Sequence, residues 1–530
     1  MSRISAATLR SWLTDGDELA LLDAREQGDF FDSHLFHAAC IPLSRIEMLL
    51  GALVPRSSTR VVWCDDGERD LAERAATRCA EMGWTNVAVL DGGVRSWADD
   101  GGELYAGVNV PSKAFGEHVE HRFDTPRISA SELNSMLEAD HDLVVLDSRP
   151  MPEFKNMSIP TGVDCPGAEL VHRVKEMVDN RDTLVVVNCA GRTRSIIGAQ
   201  SLINAGLENR VVALENGTMG WELAGLKVAR GHVDHAPDPG QKSQEWSTAA
   251  AKAVAQRFGV KEIDRAQLAE WQADGDRTTF LLDVRTPDEF ADGHLQGSRN
   301  APGGQLVQAT DEFVATRNAR IVLVDDNLVR ATMTASWLRQ LGWDDAVVLA
   351  DGVGSDGLAT GPVARPSAGS VPTMKVSELA SKLADSDTDV AVLDIDSSLK
   401  YRNRGHIPSA WWGVRSRFDE AKKSIDDPTT LVLTSSDGLL AKFAVADAQA
   451  IWPRSQVLAL AGGTKSWRHG GHDMETGFSN PTTQPNDVWY KPYDHGAEVA
   501  EQHMRDYLTW EIGLVEQLAR DPLVSFPTFA

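Results

Sequence analysis

The chain has 530 residues, 42% hydrophobic and 24% charged, with a net charge of −25. That length is too great for one ordinary core and predicts several domains, and the acidity excludes nonspecific binding to nucleic acid or an anionic membrane. No apolar run approaches the roughly 20 residues that span a bilayer, and the opening MSRISAATLRSWLTDGDE lacks the apolar core of a signal peptide.

In chain order, Ser5 caps a first helix anchored by Leu9. An apolar strand, LALLDAR, then ends at Asp23, and a second strand leads to a turn at Cys64. A helix follows, and a last strand reads VAVLDGG. The pattern recurs three times. Ser129 and Asp264 stand at the same capping position in copies two and three, and Leu133, Leu268 and Leu379 anchor the helices. The strands read LVVLDSR (Asp147), FLLDVR (Asp283) and VAVLDID (Asp394), and the endings VVALENG, AVVLADG and VLALAGG. Continuous apolar strands alternating with helices predict a parallel sheet covered on both faces. The expected fold is therefore α/β, four tandem doubly wound domains at 1–107, 125–231, 258–360 and 373–475. Linkers are expected near 108–124, 232–257 and 361–372, the second and third rich in turn and breaker residues. The segment 476–530 departs from the pattern. It carries Trp489-Tyr490-Lys491-Pro492-Tyr493 and a predicted amphipathic helix over 496–519, expected to pack across domains rather than to bind a partner.

Five cysteines, at 40, 64, 79, 165 and 189, include no CxxC pair. That argues against a disulfide framework or a zinc site and for a reducing, cytoplasmic setting. The most informative stretch is Cys189-Ala190-Gly191-Arg192-Thr193-Arg194-Ser195, between the strand Leu184-Val185-Val186-Val187 and a helical run over 196–205. At such a strand-to-helix turn, backbone N–H groups and the positive helix end converge and favour an anion. Arg192 and Arg194 add donors suited to oxyanions. The spacing predicts a thiol shifted toward thiolate beside an anion site.

The D-x-R after the first strand (Asp23-Ala24-Arg25), the turn Gly293-His294-Leu295-Gln296-Gly297-Ser298, the loop at Cys189 and the ending Leu90-Asp91-Gly92-Gly93 with Trp97 resemble the rhodanese family. The resemblance implies sulfurtransferase chemistry through a cysteine persulfide, with no metal and no organic cofactor.

Aligning the four turns on their strand ends places Cys64, Cys189, Asp325 and Ser435 together. Copies three and four thus lack a thiol and are expected to be inactive. The Cys64 loop carries Asp65, Asp66, Glu68 and Asp70 against one Arg69, a charge that raises a thiol pKa and repels an anionic donor. Cys64 with Arg69 is therefore only a candidate second site or relay. Cys189 is the expected nucleophile. Ala190, Gly191, Thr193 and Ser195 would offer loop N–H groups, Arg192 and Arg194 would grip a sulfonate, and Asp147 and Arg149 would orient the loop from behind. The expected donor is thiosulfate, and the acceptor cyanide, a thiol or a protein. The competing reading is a noncatalytic sulfur carrier, sensor or protein-binding scaffold. Mercaptopyruvate as donor and phosphatase or arsenate reductase chemistry are minor alternatives, because the Cys189 to Arg194 spacing is one residue tighter than a phosphate-sized turn. His34, His294 and His406 share one turn position, held by Ser158 in copy two, and read as turn-stabilising. Cys40, Cys79 and Cys165 read as buried packing residues.

Overall fold

The strands that carry the turns form the centres of four parallel five-stranded sheets of identical order in a computed structural model, which describes residues 2–355 and 357–529. In the second unit the order across the sheet is Arg127–Ile128, Val211–Leu214, Leu184–Asn188, Leu143–Asp147, Val163–Asp164. The central strand shows why the pattern is continuous rather than alternating. Val185 and Val187 pack into one core with Leu170, Val174 and Leu202, while Leu184 and Val186 pack into another with Leu133 and Trp221. Both faces are covered, so each strand residue contributes about 1.5–3 kcal/mol of burial before entropy is counted. The four-domain doubly wound reading stands.

Local signals at the first helices hold. Ser5 accepts from Thr8 N at 3.2 Å, Ser129 from Glu132 N at 3.2 Å in a full capping box, and Asp264 from Gln267 N at 2.8 Å. Leu9, Leu133, Leu268 and Leu379 are buried. His34, His294 and His406 stack on Phe30, Phe290 and Tyr401 and reach those residues' carbonyl oxygens, a turn-stabilising placement.

Two expected linkers are corrected. The stretch 108–124 is largely a bridging helix, Val110–Phe123, with Pro111 in its first turn, where a missing N–H costs nothing. Its Val110, Ala114, Phe115 and Val119 are buried. Likewise 232–257 begins irregularly and then forms the helix Gln241–Phe258. The C-terminal helix spans Ala497–Leu518 and does cross units. It reaches the first through Gln517 on Leu104 O (2.7 Å) and the second through Glu511.

The first unit packs on the fourth through Arg415 and Glu47 (2.7 Å) and through Ser416 to Glu26 (2.9 Å). The second packs on the third through Arg330 and Glu169 (2.8 Å) and through Trp337 Nε1 to Ser201 (2.8 Å). Among the described residues no helix is long and apolar enough to cross a membrane.

Candidate functional site

The central strand Leu184–Asn188 delivers Cys189 to the start of the helix Thr193–Asn204. The strand end is fixed from behind. Asn188 Nδ2 donates to Asp147 Oδ2 (2.9 Å), Arg149 grips Asp147 with Nε and Nη2 (2.8 and 2.7 Å), and Arg149 Nη2 also holds Met157 O (2.6 Å). From below, Thr218 N and Oγ1 donate to Cys189 O (2.8 and 3.0 Å), and Met219 N donates to Ala190 O (3.0 Å). That approach demands Gly217: its φ is +55°, and a Cβ there would stand 2.4 Å from Cys189 O.

The register corrects the alignment of the four turns. Asp147 pairs with Asn188, Asp23 with Cys64, Asp283 with Val324 and Asp394 with Thr434. Cys64 therefore matches Asn188, and the residue that matches Cys189 in the first unit is Asp65. The carbonyls agree: Cys189 O, Asp65 O, Asp325 O and Ser435 O accept from Thr218, Val94, Val353 and Thr464 N. Strand parity gives the reason. A one-residue offset turns a side chain to the opposite face, so Cys64 packs with Val62 beneath the sheet end and points its thiol at Asp23 Oδ2 (3.8 Å). Burial and Asp23 push that thiol well up. Cys64 lies in the core rather than in the turn, and the candidate second site with Arg69 loses its nucleophile. Arg69 pairs instead with Asp66 and Asp29.

At the Cys189 position the sister units hold acceptors. Asp65 takes N–H bonds from Gly67 (2.8 Å) and Ala72 (2.9 Å), and Asp325 from Leu328 (2.6 Å) and Ala331 (3.1 Å). Ser435 Oγ accepts from Ala441 N (3.3 Å). In the second unit the thiol donates to Ser195 Oγ (3.6 Å), which donates to Arg192 O (2.8 Å). Burial pushes the Cys189 thiol up; Arg194 and the hydrogen bonds of Ser195 pull the other way and do not overcome it. The expected downward shift is thus corrected: Cys189 is 2% exposed, and desolvation outweighs the cation.

The arginines are engaged elsewhere. Arg192 turns to the bridging helix, binding Glu117 with Nε and Nη2 (2.7 and 2.8 Å), Glu120 (2.5 Å) and Asn216 (3.3 Å). Its donors face carboxylates rather than a sulfonate position. Arg194 binds Glu153 (2.8 and 3.0 Å) and Gln305 (3.0 Å) while its charge still acts on the sulfur. Arg330, five residues after Asp325, repeats that pair with Glu289 in a unit without a turn cysteine, so the Arg194–Glu153 pair is a brace of the fold. Glu153 is held near 2 by Arg194.

The tail closes the site. Thr193 Oγ1 donates to Glu511 Oε1 (2.6 Å), and a Cβ on Gly191 would stand 3.3 Å from the Tyr507 ring and 3.4 Å from Glu511 Oε2. Met504 and Leu508 pack on Met219, with Tyr493 and Tyr507 beside them. Lys113 of the bridging helix lies within 5.0 Å of the Trp489, Tyr507 and Trp510 ring centres, and burial lowers it to about 8. Glu117, Lys113, Tyr507 and Glu511 were not found from sequence. They lie outside the repeat, and no motif marks them.

Residues 5–100, 129–224 and 264–355 each match the Rhodanese-like domain family, together more than half of the chain. The solved structure of thiosulfate sulfurtransferase from Pseudomonas aeruginosa is similar over the whole length, with 44% identity, a TM-score of 0.95 and 100% of both chains covered. The chain is 36% identical over 98 residues to the probable adenylyltransferase/sulfurtransferase MoeZ of Mycobacterium tuberculosis, 18% of this chain and about a quarter (24%) of that protein. It is 29% identical over 101 residues to the putative mitochondrial thiosulfate sulfurtransferase of Schizosaccharomyces pombe, 17% of this chain and 71% of that protein.

Proposed function

The chain belongs to the rhodanese-like domain family, and from that premise we propose that it is a sulfurtransferase working at Cys189, with thiosulfate as donor. The Cys189 thiol gives up its proton, and the thiolate attacks the outer sulfur of thiosulfate. The S–S bond of the donor breaks, its electron pair leaves with sulfite, and Cys189 keeps the sulfur as an anionic persulfide. A thiophilic acceptor then attacks that outer sulfur. Cyanide leaves as thiocyanate, a thiol as its persulfide, and Cys189 returns as thiolate.

One observation carries the reading. Cys189 occupies the position at which two sister turns hold an aspartate carboxylate in backbone N–H groups. Those N–H groups pull the aspartates toward the charged form against the burial that raises them, and a persulfide anion at the same place would meet the same donors. The mercaptopyruvate and phosphatase alternatives have no comparable support. Cys189→Ser should abolish thiocyanate formation, and Cys64→Ser should leave most of it. Full turnover in Cys189→Ser would overturn the assignment.

The closed tail favours a second reading, a sulfur carrier or sensor. Mass spectrometry after thiosulfate treatment separates the two: a stable added sulfur with no cyanide turnover supports the carrier, turnover the enzyme.

A further inference from the structure

The fourth unit has lost the thiol and kept an open pocket beside its turn. The cavity measures about 250 Å³. Lys400, Arg404, Lys465, Arg468 and His469 line it. Equivalent positions in the other units show how unusual this set is. Lys465 N donates to Ser436 O (2.8 Å) as Met219 N does to Ala190 O (3.0 Å), so Lys465, Arg468 and His469 replace Met219, Glu222 and Leu223. Lys400 follows Asp394 at the spacing by which Glu153 follows Asp147. The first unit has Arg95, Ala98 and Asp99 at the three helix positions, and the third has Gly354, Gly357 and Leu358. Only the fourth gathers basic residues there, in a chain of net charge −25.

Apart from Lys400, which Asp396 holds, these basic side chains are not consumed by neighbouring acids. Among the described residues no ion pair holds Arg404, Lys465, Arg468 or His469; Arg468 donates only to Arg404 O. Lys465, Arg468 and His469 are exposed at the rim, whereas Met219 and Leu223 of the second unit lie under the tail. Two aspartates form the floor and are internally compensated. Asp396 accepts from Lys400 (3.0 Å), Ser436 N (2.7 Å) and Ser397 N (2.7 Å). Asp394 is fully buried, and burial with Asp396 beside it raises its carboxyl to about 7.

We propose that this pocket binds a small dianionic oxoanion, so that the fourth unit is a binding site distinct from the Cys189 centre. Several basic side chains without acidic partners, at a pocket with room for the ligand, suit a compact oxoanion, a class to which sulfite, thiosulfate and phosphate all belong. The test is isothermal titration of full-length Cys189→Ser protein at low chloride with sulfite, thiosulfate and phosphate in separate arms. One-site binding of at least one anion is expected, and the ranking of the arms tells a sulfur oxoanion from phosphate. Adding Lys465→Gln and Arg468→Gln should weaken binding about tenfold or more without moving the thermal midpoint, because both side chains are exposed. No heat with any of the three anions, or equal affinity in the substituted protein, overturns the proposal. Neither result touches the Cys189 reading, since the nucleophile is absent throughout.

Discussion

Two forces meet on the Cys189 sulfur. Burial raises its pKa, and Arg194 with Ser195 lowers it. Removing the cation leaves burial unopposed, so Arg194→Met should raise the pKa further. Iodoacetamide alkylation at pH 8 should slow about threefold to tenfold, and its alkaline limb should move up. Glu153→Gln breaks the same brace but leaves the cation free to act on the sulfur, so its profile should move down. Profiles that shift together would mean that the brace, not the charge, governs the thiol. Cys189 itself was legible because a strand end, a turn and a helix start are all local. The destinations of Arg192 and Arg194 were not, because Glu117 and Glu153 come from other elements. The misalignment of Cys64 has the same origin: both alignments keep the apolar run intact, and only the pairing of Asp23 with Cys64 shows which face the thiol takes.

Two helices outside the repeat frame the turn. The bridging helix holds Arg192 from one side, and the C-terminal helix lays Tyr507 and Glu511 over Gly191 and Thr193 from the other. The caged Lys113 ties one to the other. Glu511→Ala removes a charged hydrogen bond of the kind that contributes about 1.5–3 kcal/mol. Labelling of Cys189 by a bulky maleimide should accelerate about tenfold or more, while the far-ultraviolet dichroism stays unchanged. An unchanged labelling rate would show that Glu511 does not hold the tail closed. The C-terminal helix was readable from its amphipathic spacing, almost to the residue. What it covers was not, since amphipathicity says that a face is buried and not against what.

Across the molecule the first unit meets the fourth and the second meets the third through buried charges, and the first also meets the third, where Glu18 accepts from Thr278 N (2.6 Å). Arg415 and Glu47 are 6% and 7% exposed. Glu47→Ala would leave Arg415 largely uncompensated, with only the half-exposed Asp447 as partner. Removing one member of a buried pair costs about 3–5 kcal/mol, so calorimetry should find a clearly lower unfolding temperature. Glu47→Leu with Arg415→Met should recover much of it, because the charges left behind, Asp447 and Arg78, are both partly exposed and Arg78 keeps Glu81. An unchanged midpoint in Glu47→Ala would show that the contact between units one and four does not limit stability.

By itself the sequence determined the four doubly wound units, their caps and anchors, and one cysteine at one turn. All of these follow from periodicity and turn chemistry within about a hundred residues of chain. Tertiary structure alone decided three things: that Asp65, not Cys64, is the counterpart of Cys189, that both arginines lean on carboxylates, and that the tail closes one pocket while the fourth unit's stays open. Each depends on which distant groups share a small volume. Burial and pairing set the charge of a thiol or an arginine there, and a one-dimensional pattern does not contain that neighbourhood.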